Sequence, residues 1–179
     1  GEGGMDERNR EFDVRPERAT EDDLEAILGI WLEAASWIAE SKGVVQWKPG
    51  SFDDDAVLRH FRRTELFVVR DRREGRIAGT FSVQWADPVI WGELDDERSG
   101  YVHRLVVPRA YGGVGIGARL LDWAGRYALE RGKAKLRLDC MADNERLNAY
   151  YRSVGFRYVG RADKPRFSAS LFEKPLRRS

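Results

Sequence analysis

A β-branched apolar run ending at Pro108 passes through Gly112, Gly113, Gly115 and Gly117 straight into an amphipathic stretch, so that residues 105–121 read LVVPRAYGGVGIGARLL. This predicts a strand, a glycine-rich turn and a helix N-terminus. Glycine lets the backbone take positive φ and approach a ligand closely, and the first N–H groups of a helix point outward with the positive end of its dipole behind them. Such a terminus binds phosphate, although the same glycines would also serve a tight strand-to-helix turn with no ligand. Spacing excludes two common phosphate sites. A P-loop requires Lys and then Ser or Thr after its last glycine, and Gly117 is followed by Ala118 and Arg119. A dinucleotide fingerprint requires a third glycine where Leu120 stands.

The rest of the chain supplies alternating elements. FDVRPE at 12–17 predicts a first strand, and Thr20 with Asp23 a helix N-cap. Leu24, Ile27, Leu28, Trp31, Leu32, Ala35, Ile38 and Ala39 recur at helical spacing up to Gly43, and 53–63 predicts a second helix with its acids at the favourable end. Strands are expected at 66–70 and 76–85 around the turn DRREG, then a loop over 86–100 and the strand YVHRLVV. The helix after the glycines buries Ile116, Leu120, Trp123, Ala124, Tyr127 and Ala128 and closes at Gly132. A strand at 135–140, a helix at 144–154 ending at Gly155, and a terminal strand pair, FRYVGRA and FSASLFEK, complete the pattern. It implies one α/β domain over 11–174 with a mixed sheet and helices on both faces. Residues 1–10, whose GEGG precedes Met5 as an expression remnant would, and 175–179 are expected to be loose.

Bulk properties exclude several functions. With 31 basic and 30 acidic side chains the net charge of +1 gives no general attraction to nucleic acid or to an anionic membrane. No apolar run approaches the roughly 20 residues of a membrane span, and the charged start GEGGMDERNRE is not a signal peptide. The single cysteine, Cys140, cannot form an internal disulfide, and with two histidines it makes no zinc spacing. A metal-free, cytoplasmic protein is expected.

The glycine turn resembles the pyrophosphate-binding motif of the GCN5-related N-acetyltransferases, Q/R-x-x-G-x-G/A between a strand and a long helix. Gly115 and Gly117 match, and Gly112 departs from the family's Gln or Arg. NERLNAYYRSVGF at 144–156 resembles the family's later signature of Asn, an amphipathic helix, Tyr, three residues and Gly-Phe. The likeness extends from about Arg76 to about Phe156, and YVHRLVV, RLLDWA and RLDCMADN resemble a bacterial subgroup. It implies a mostly antiparallel sheet splayed between strands 4 and 5, with helices on both faces, and acetyl-CoA as cofactor. The implied contacts are the backbone of Leu105, Val106 and Val107 for the pantetheine arm and Gly112, Gly113, Val114, Gly115, Ile116, Gly117 and Ala118 for the pyrophosphate. Asn144 would touch the cofactor arm, and Tyr151 would protonate the departing thiolate. As residues of an amphipathic stripe, Tyr150 and Tyr151 could equally be half-buried packing tyrosines.

Acetyl transfer to an amine needs a neutral amine, a polarised carbonyl and a proton for the thiolate. Strand alternation puts Tyr101, His103, Leu105 and Val107 on one face, making His103 a candidate general base or else a structural histidine. Asp139 would bind the acceptor's cationic amine or cap a turn. Cys140 has no evident activator, so direct transfer without an acetyl-enzyme is expected. Trp37, Trp47, Trp85 and Trp91 lie in elements that wall the acceptor side in this family, and Glu93, Asp95, Asp96 and Glu97 add acids. An aromatic cleft with an acidic lip would suit a small cationic amine, whereas core tryptophans and a solvated acidic loop would not. Three functions stay open: acetylation of a small-molecule amine by a monomer or homodimer, acetylation of a protein or peptide N-terminus, and a silent acyl-CoA-binding module.

Overall fold

The computed structural model describes residues 15–42 and 53–178, the side chains of 37–42 excepted. Trp37 as a wall residue, Trp47 and the loop around it, and the N-terminal stretch up to residue 14 therefore lie outside the described residues.

Of the first strand expected at 12–17, residues 12–14 lie outside the described residues, and β1 is Glu17–Arg18. The Thr20 cap forms, with the Asp23 carboxylate accepting from the Thr20 N–H at 2.9 Å. It opens a 3-10 turn, Glu21–Asp23, that runs into α1, Leu24–Lys42. Asp53 caps α2, Asp54–Arg63, by accepting from Ala56 N–H at 2.8 Å. Strands β2 (Glu65–Arg70) and β3 (Ile77–Gln84) form the expected hairpin. The loop expected over 86–100 instead contains a short helix α3, Pro88–Trp91, and a 3-10 turn, Gly92–Leu94. Then follow β4 (Ser99–Val106), α4 (Ile116–Glu130), β5 (Lys135–Met141), α5 (Glu145–Ser153), β6 (Arg157–Asp163) and β7 (Ser168–Pro175).

The seven strands make one sheet in the order β1-β2-β3-β4-β5-β7-β6, antiparallel except for the parallel pair β4–β5. Alternation in β2 shows how the faces divide. Phe67 and Val69 join Ile116, Leu120, Ala124 and Ala128 of α4. Leu66 and Val68 join Ile27 and Trp31 of α1 and Val57 of α2. Each fully buried large apolar side chain contributes about 1.5–3 kcal/mol, so both helical layers are held by their apolar stripes. Among the described residues no helix is long and apolar enough to cross a membrane.

Two irregularities shape the centre of the sheet. The β4–β5 ladder pairs only Ser99, Gly100 and Tyr101 with Lys135, Leu136 and Arg137, after which the strands part. Across β3, Thr80 pairs with Val106 and Ser82 with His103, so β4 carries one residue too many. The bulge holds Arg104 at φ 51, a left-handed conformation that costs a non-glycine residue about 1–3 kcal/mol.

Candidate active site

The bulge reverses the facing of β4 half-way along. Val102 packs on the α4 side, so Tyr101 and His103 face α1 and α2. Beyond the bulge Leu105 and Val107 pack on the α4 side, and Val106 joins the α1 and α2 cluster. Strict alternation had placed Leu105 and Val107 on the face of His103; the extra residue at the bulge puts them on the other. In β5, Leu136, Leu138 and Cys140 face α4, which turns Arg137 and Asp139 toward the side of His103.

Where β4 and β5 part, a cavity of about 940 Å³ opens, its wall including Leu105, Val106, Val107 and Gly112, and also His103, Asp139, Cys140 and Tyr151. The two faces of the sheet differ around it. On the α4 side, the glycine turn leads into the helix N-terminus, with Gly113 at φ 83 and Gly115 at φ 80. A Cβ on either would meet no atom within 4 Å. Among the described residues, the N–H groups of Gly113, Val114 and Gly115 donate to no backbone carbonyl. Open space above unused N–H groups at a helix start fits a pyrophosphate. Ile116 sends its side chain into the core, and Gly117 accommodates the Tyr150 hydroxyl, 3.0 Å from where a Cβ would stand.

On the α1 and α2 side, three titratable groups come together: one donor atom each of Asp87, His103 and Asp139 lies within 4.8 Å of the others. His103 Nε2 stands 2.9 Å from Asp87 Oδ2, but off the axis of the ring N–H, so both buried atoms keep unused hydrogen-bonding capacity. Asp87 is itself fixed, its N–H donating to Asp95 Oδ1 at 2.7 Å and its Oδ1 accepting from Ile90 N–H. Burial disfavours a charged His103, yet Asp87 and Asp139 outweigh it and hold the pKa above the ordinary value. Burial likewise raises Asp139. His60 of α2 lies alongside, 2.7 Å from Ser82 Oγ, its pKa pressed down to about 3 by burial and then by Arg104 and His103, so it is neutral.

Tyr151 belongs to the α4 side of the slot, in a cluster with Cys140, and is 7% exposed. Burial first, then Cys140, Asp139 and Tyr150, drive its pKa well above that of a free phenol. The Cys140 thiol is pushed up to about 12, mainly by burial and then by Asp139.

A profile of the acetyltransferase (GNAT) family matches residues 24–156. The chain belongs to the GNAT acetyltransferase family. GNAT relatives agree along nearly the whole chain. The uncharacterized N-acetyltransferase YesJ of Bacillus subtilis is 32% identical over 165 residues, covering 88% of each chain. A GNAT acetyltransferase structure from Listeria monocytogenes superposes with a TM-score of 0.74 at 27% identity, covering 90% of this chain and 94% of that one. The fold is also that of yncA from Salmonella typhimurium, solved with its cofactor acetyl-CoA, at TM-score 0.64 and 18% identity over 92% of this chain and 95% of that one. This chain is accordingly an acetyl-CoA-dependent N-acetyltransferase.

Several sequence expectations do not meet the slot. Trp85 continues the facing of Phe81 and Val83 toward α4, stacks on Tyr127 with ring centroids 6.0 Å apart and bonds Glu65, outside the cavity wall. Trp91 is 3% exposed beneath Tyr101, with the Arg137 guanidinium 4.3 Å over its ring; its neighbour Ile90 reaches the cavity instead. Asp95 and Asp96 are not a lip: Asp95 holds Asp87, and Asp96 pairs with Lys135 and Arg137. Asn144 is buried and spends its side-chain oxygen capping α5 through Leu147 N–H. Sequence reasoning missed Asp87, Arg104 and His60. Asp87 carried one usable signal, an Asp before Pro at a helix N-cap, which promised order in that loop.

Proposed function

We propose that the acceptor is the primary amine of a small molecule, which attacks the thioester directly. The observation that carries this reading is the division of the slot: a proton-accepting cluster on the α1 and α2 side, a protonated phenol on the α4 side, and a gap between β4 and β5 joining them. A cavity of about 940 Å³ has the size of a pocket for a compact ligand, and residues of α1, α2 and the β6–β7 turn wall its acceptor end.

When bound, acetyl-CoA supplies the activated acyl thioester. Gly113, Val114 and Gly115, with the first-turn N–H groups of Ile116, Gly117 and Ala118, would hold its pyrophosphate, and the backbone of Leu105, Val106 and Val107 its arm. His103, oriented by Asp87, takes the proton of the attacking amine. Asp139 holds the ammonium before that proton leaves. Tyr151 delivers a proton to the leaving group. Cys140, protonated at neutral pH, does not carry the acyl group.

Thiol release from acetyl-CoA across a panel of amino acids, diamines, aminosugars and peptides with free N-termini tests the acceptor class; turnover confined to peptides would overturn it. The base assignment makes a signed pH prediction. A His103 pKa raised by Asp87 and Asp139 keeps the ring protonated, and so inactive as a base, to above about pH 6.5. The rate should therefore rise with pH through a point above that value. Asp87→Asn should move the limb to lower pH, and His103→Gln should abolish it. A limb unmoved in folded Asp87→Asn would return the pair to a structural role.

Gly112, which lacks the family's side chain, sits at an ordinary φ of −71, and a Cβ there would meet the Arg109 carbonyl at 3.3 Å, a contact a small shift relieves. Gly112→Arg should tighten CoA binding about 2- to 5-fold at low salt, as an exposed charge contact would, with the gain fading as salt is added. Calorimetry at two ionic strengths would reveal it, and equal affinities at low salt would refute it.

A further inference from the structure

The chain has no zinc spacing, yet the fold brings Asp87, His103 and Asp139 together from the cap of α3, from β4 and from β5. One donor atom of each lies within 4.8 Å of the others. Asp87 is only 6% exposed, and its Oδ2 and His103 Nε2 are both buried with no hydrogen-bond partner. These two atoms stand 2.9 Å apart. Ligands ~2.1 Å from one ion are about 3 Å apart at a right angle and about 3.4 Å apart at the tetrahedral angle. The Asp139 carboxylate is held by no hydrogen bond among the described residues; burial and the charges of His103 and Asp87 are what act on it. A shift of about 1.5 Å brings it into the same shell. With both carboxylates ionised the three groups are negative together even when His103 is protonated, and a buried place of that sign favours a cation. One imidazole and two carboxylates, with His103 and Asp139 lining an open cavity, have the make-up of a zinc site with three protein ligands and a position left for water.

We propose that this cluster binds a divalent transition-metal ion such as zinc, which takes the His103 lone pair and the place of the acceptor's ammonium and so reversibly arrests acetyl transfer. Binding stands on the cluster alone. The arrest rests on the roles given to His103 and Asp139 above.

Zinc chloride titrated into the full chain, free of any affinity tag, should reveal one site by calorimetry. His103→Gln and Asp87→Asn should each weaken it by ~100-fold or more, beyond the 10- to 100-fold typical of losing a residue that only supports a ligand. Asp139→Asn should weaken it as well. Cys140→Ala, which removes the only thiol, and His60→Gln, which removes the other imidazole, should leave the affinity unchanged. Magnesium, which takes oxygen ligands, should bind far more weakly than zinc. No site in the wild-type protein, a site that survives in folded His103→Gln and Asp139→Asn, or one lost with Cys140→Ala would overturn the proposal. None of these measurements needs an acceptor. With any amine that the enzyme acetylates, zinc should remove turnover and EDTA restore it. Unchanged turnover at full occupancy would overturn the arrest and take the base role of His103 with it. Zinc-arrested turnover of peptides alone would uphold the metal site and retire the small-amine reading.

Discussion

Tyr151→Phe is expected to lower kcat by ~100-fold or more, about 3 kcal/mol of barrier, while leaving the affinity for acetyl-CoA nearly unchanged. The argument is one of protonation and place. Burial holds the Tyr151 phenol far above the pKa of a free tyrosine, so it is a proton donor and not a base at any working pH. It lines the slot on the side of the glycine turn, opposite His103 and Asp139, where a leaving thiolate would emerge. The substitution removes one oxygen from a well-packed ring and keeps its contacts with Phe156 and Phe172, so folding should be little affected. Tyr150→Phe is the internal comparison. The Tyr150 hydroxyl rests against Gly117, and the residue is not part of the cavity wall, so its loss should change kcat only severalfold at most. Slow turnover in Tyr150→Phe with normal turnover in Tyr151→Phe would reverse the assignment. Normal turnover in both would give the proton transfer to water.

The contrast between these adjacent tyrosines shows how much of the site was legible in the sequence. Asn144, Tyr151, Gly155 and Phe156 stand at the family's spacing, and that resemblance singled out Tyr151, whereas helical periodicity alone left Tyr150 and Tyr151 together on one half-buried stripe. The strand, turn and helix at 105–121 were legible from the residues themselves: apolar periodicity and glycine are local signals. Arg104 was not. A left-handed arginine is imposed by the mismatch between β3 and β4 and not by its own preference, so alternation followed through the bulge put Leu105 and Val107 on the wrong side. Asp87 was illegible for a related reason. It lies 16 residues before His103 in the chain, and only the folding of α3 and the turn after it brings its carboxylate within 2.9 Å of the ring. The tryptophans failed differently. Trp85 continues the alternation of Phe81 and Val83, a pattern that already pointed it at α4 and away from the acceptor.

Gly115→Val should reduce CoA affinity beyond about 100-fold, and the structure separates two causes that the sequence ran together. At φ 80, valine carries backbone strain whatever the space around it, worth about 1–3 kcal/mol and a melting temperature lower by several degrees. Its side chain would also project into the open space above the unused N–H groups of Gly113, Val114 and Gly115, where the pyrophosphate would sit. Gly132 provides the control. It closes α4 at φ 79 with nothing within 4 Å of a Cβ, the same strain at the opposite end of the helix from the turn. Gly132→Val should lower the melting temperature about as much as Gly115→Val and leave CoA binding at the wild-type level. Calorimetry with CoA, run well below both melting temperatures, reads the difference. Equal loss of affinity in both variants would mean that strain alone weakens binding, and unchanged affinity in folded Gly115→Val would remove the glycine turn from the cofactor site.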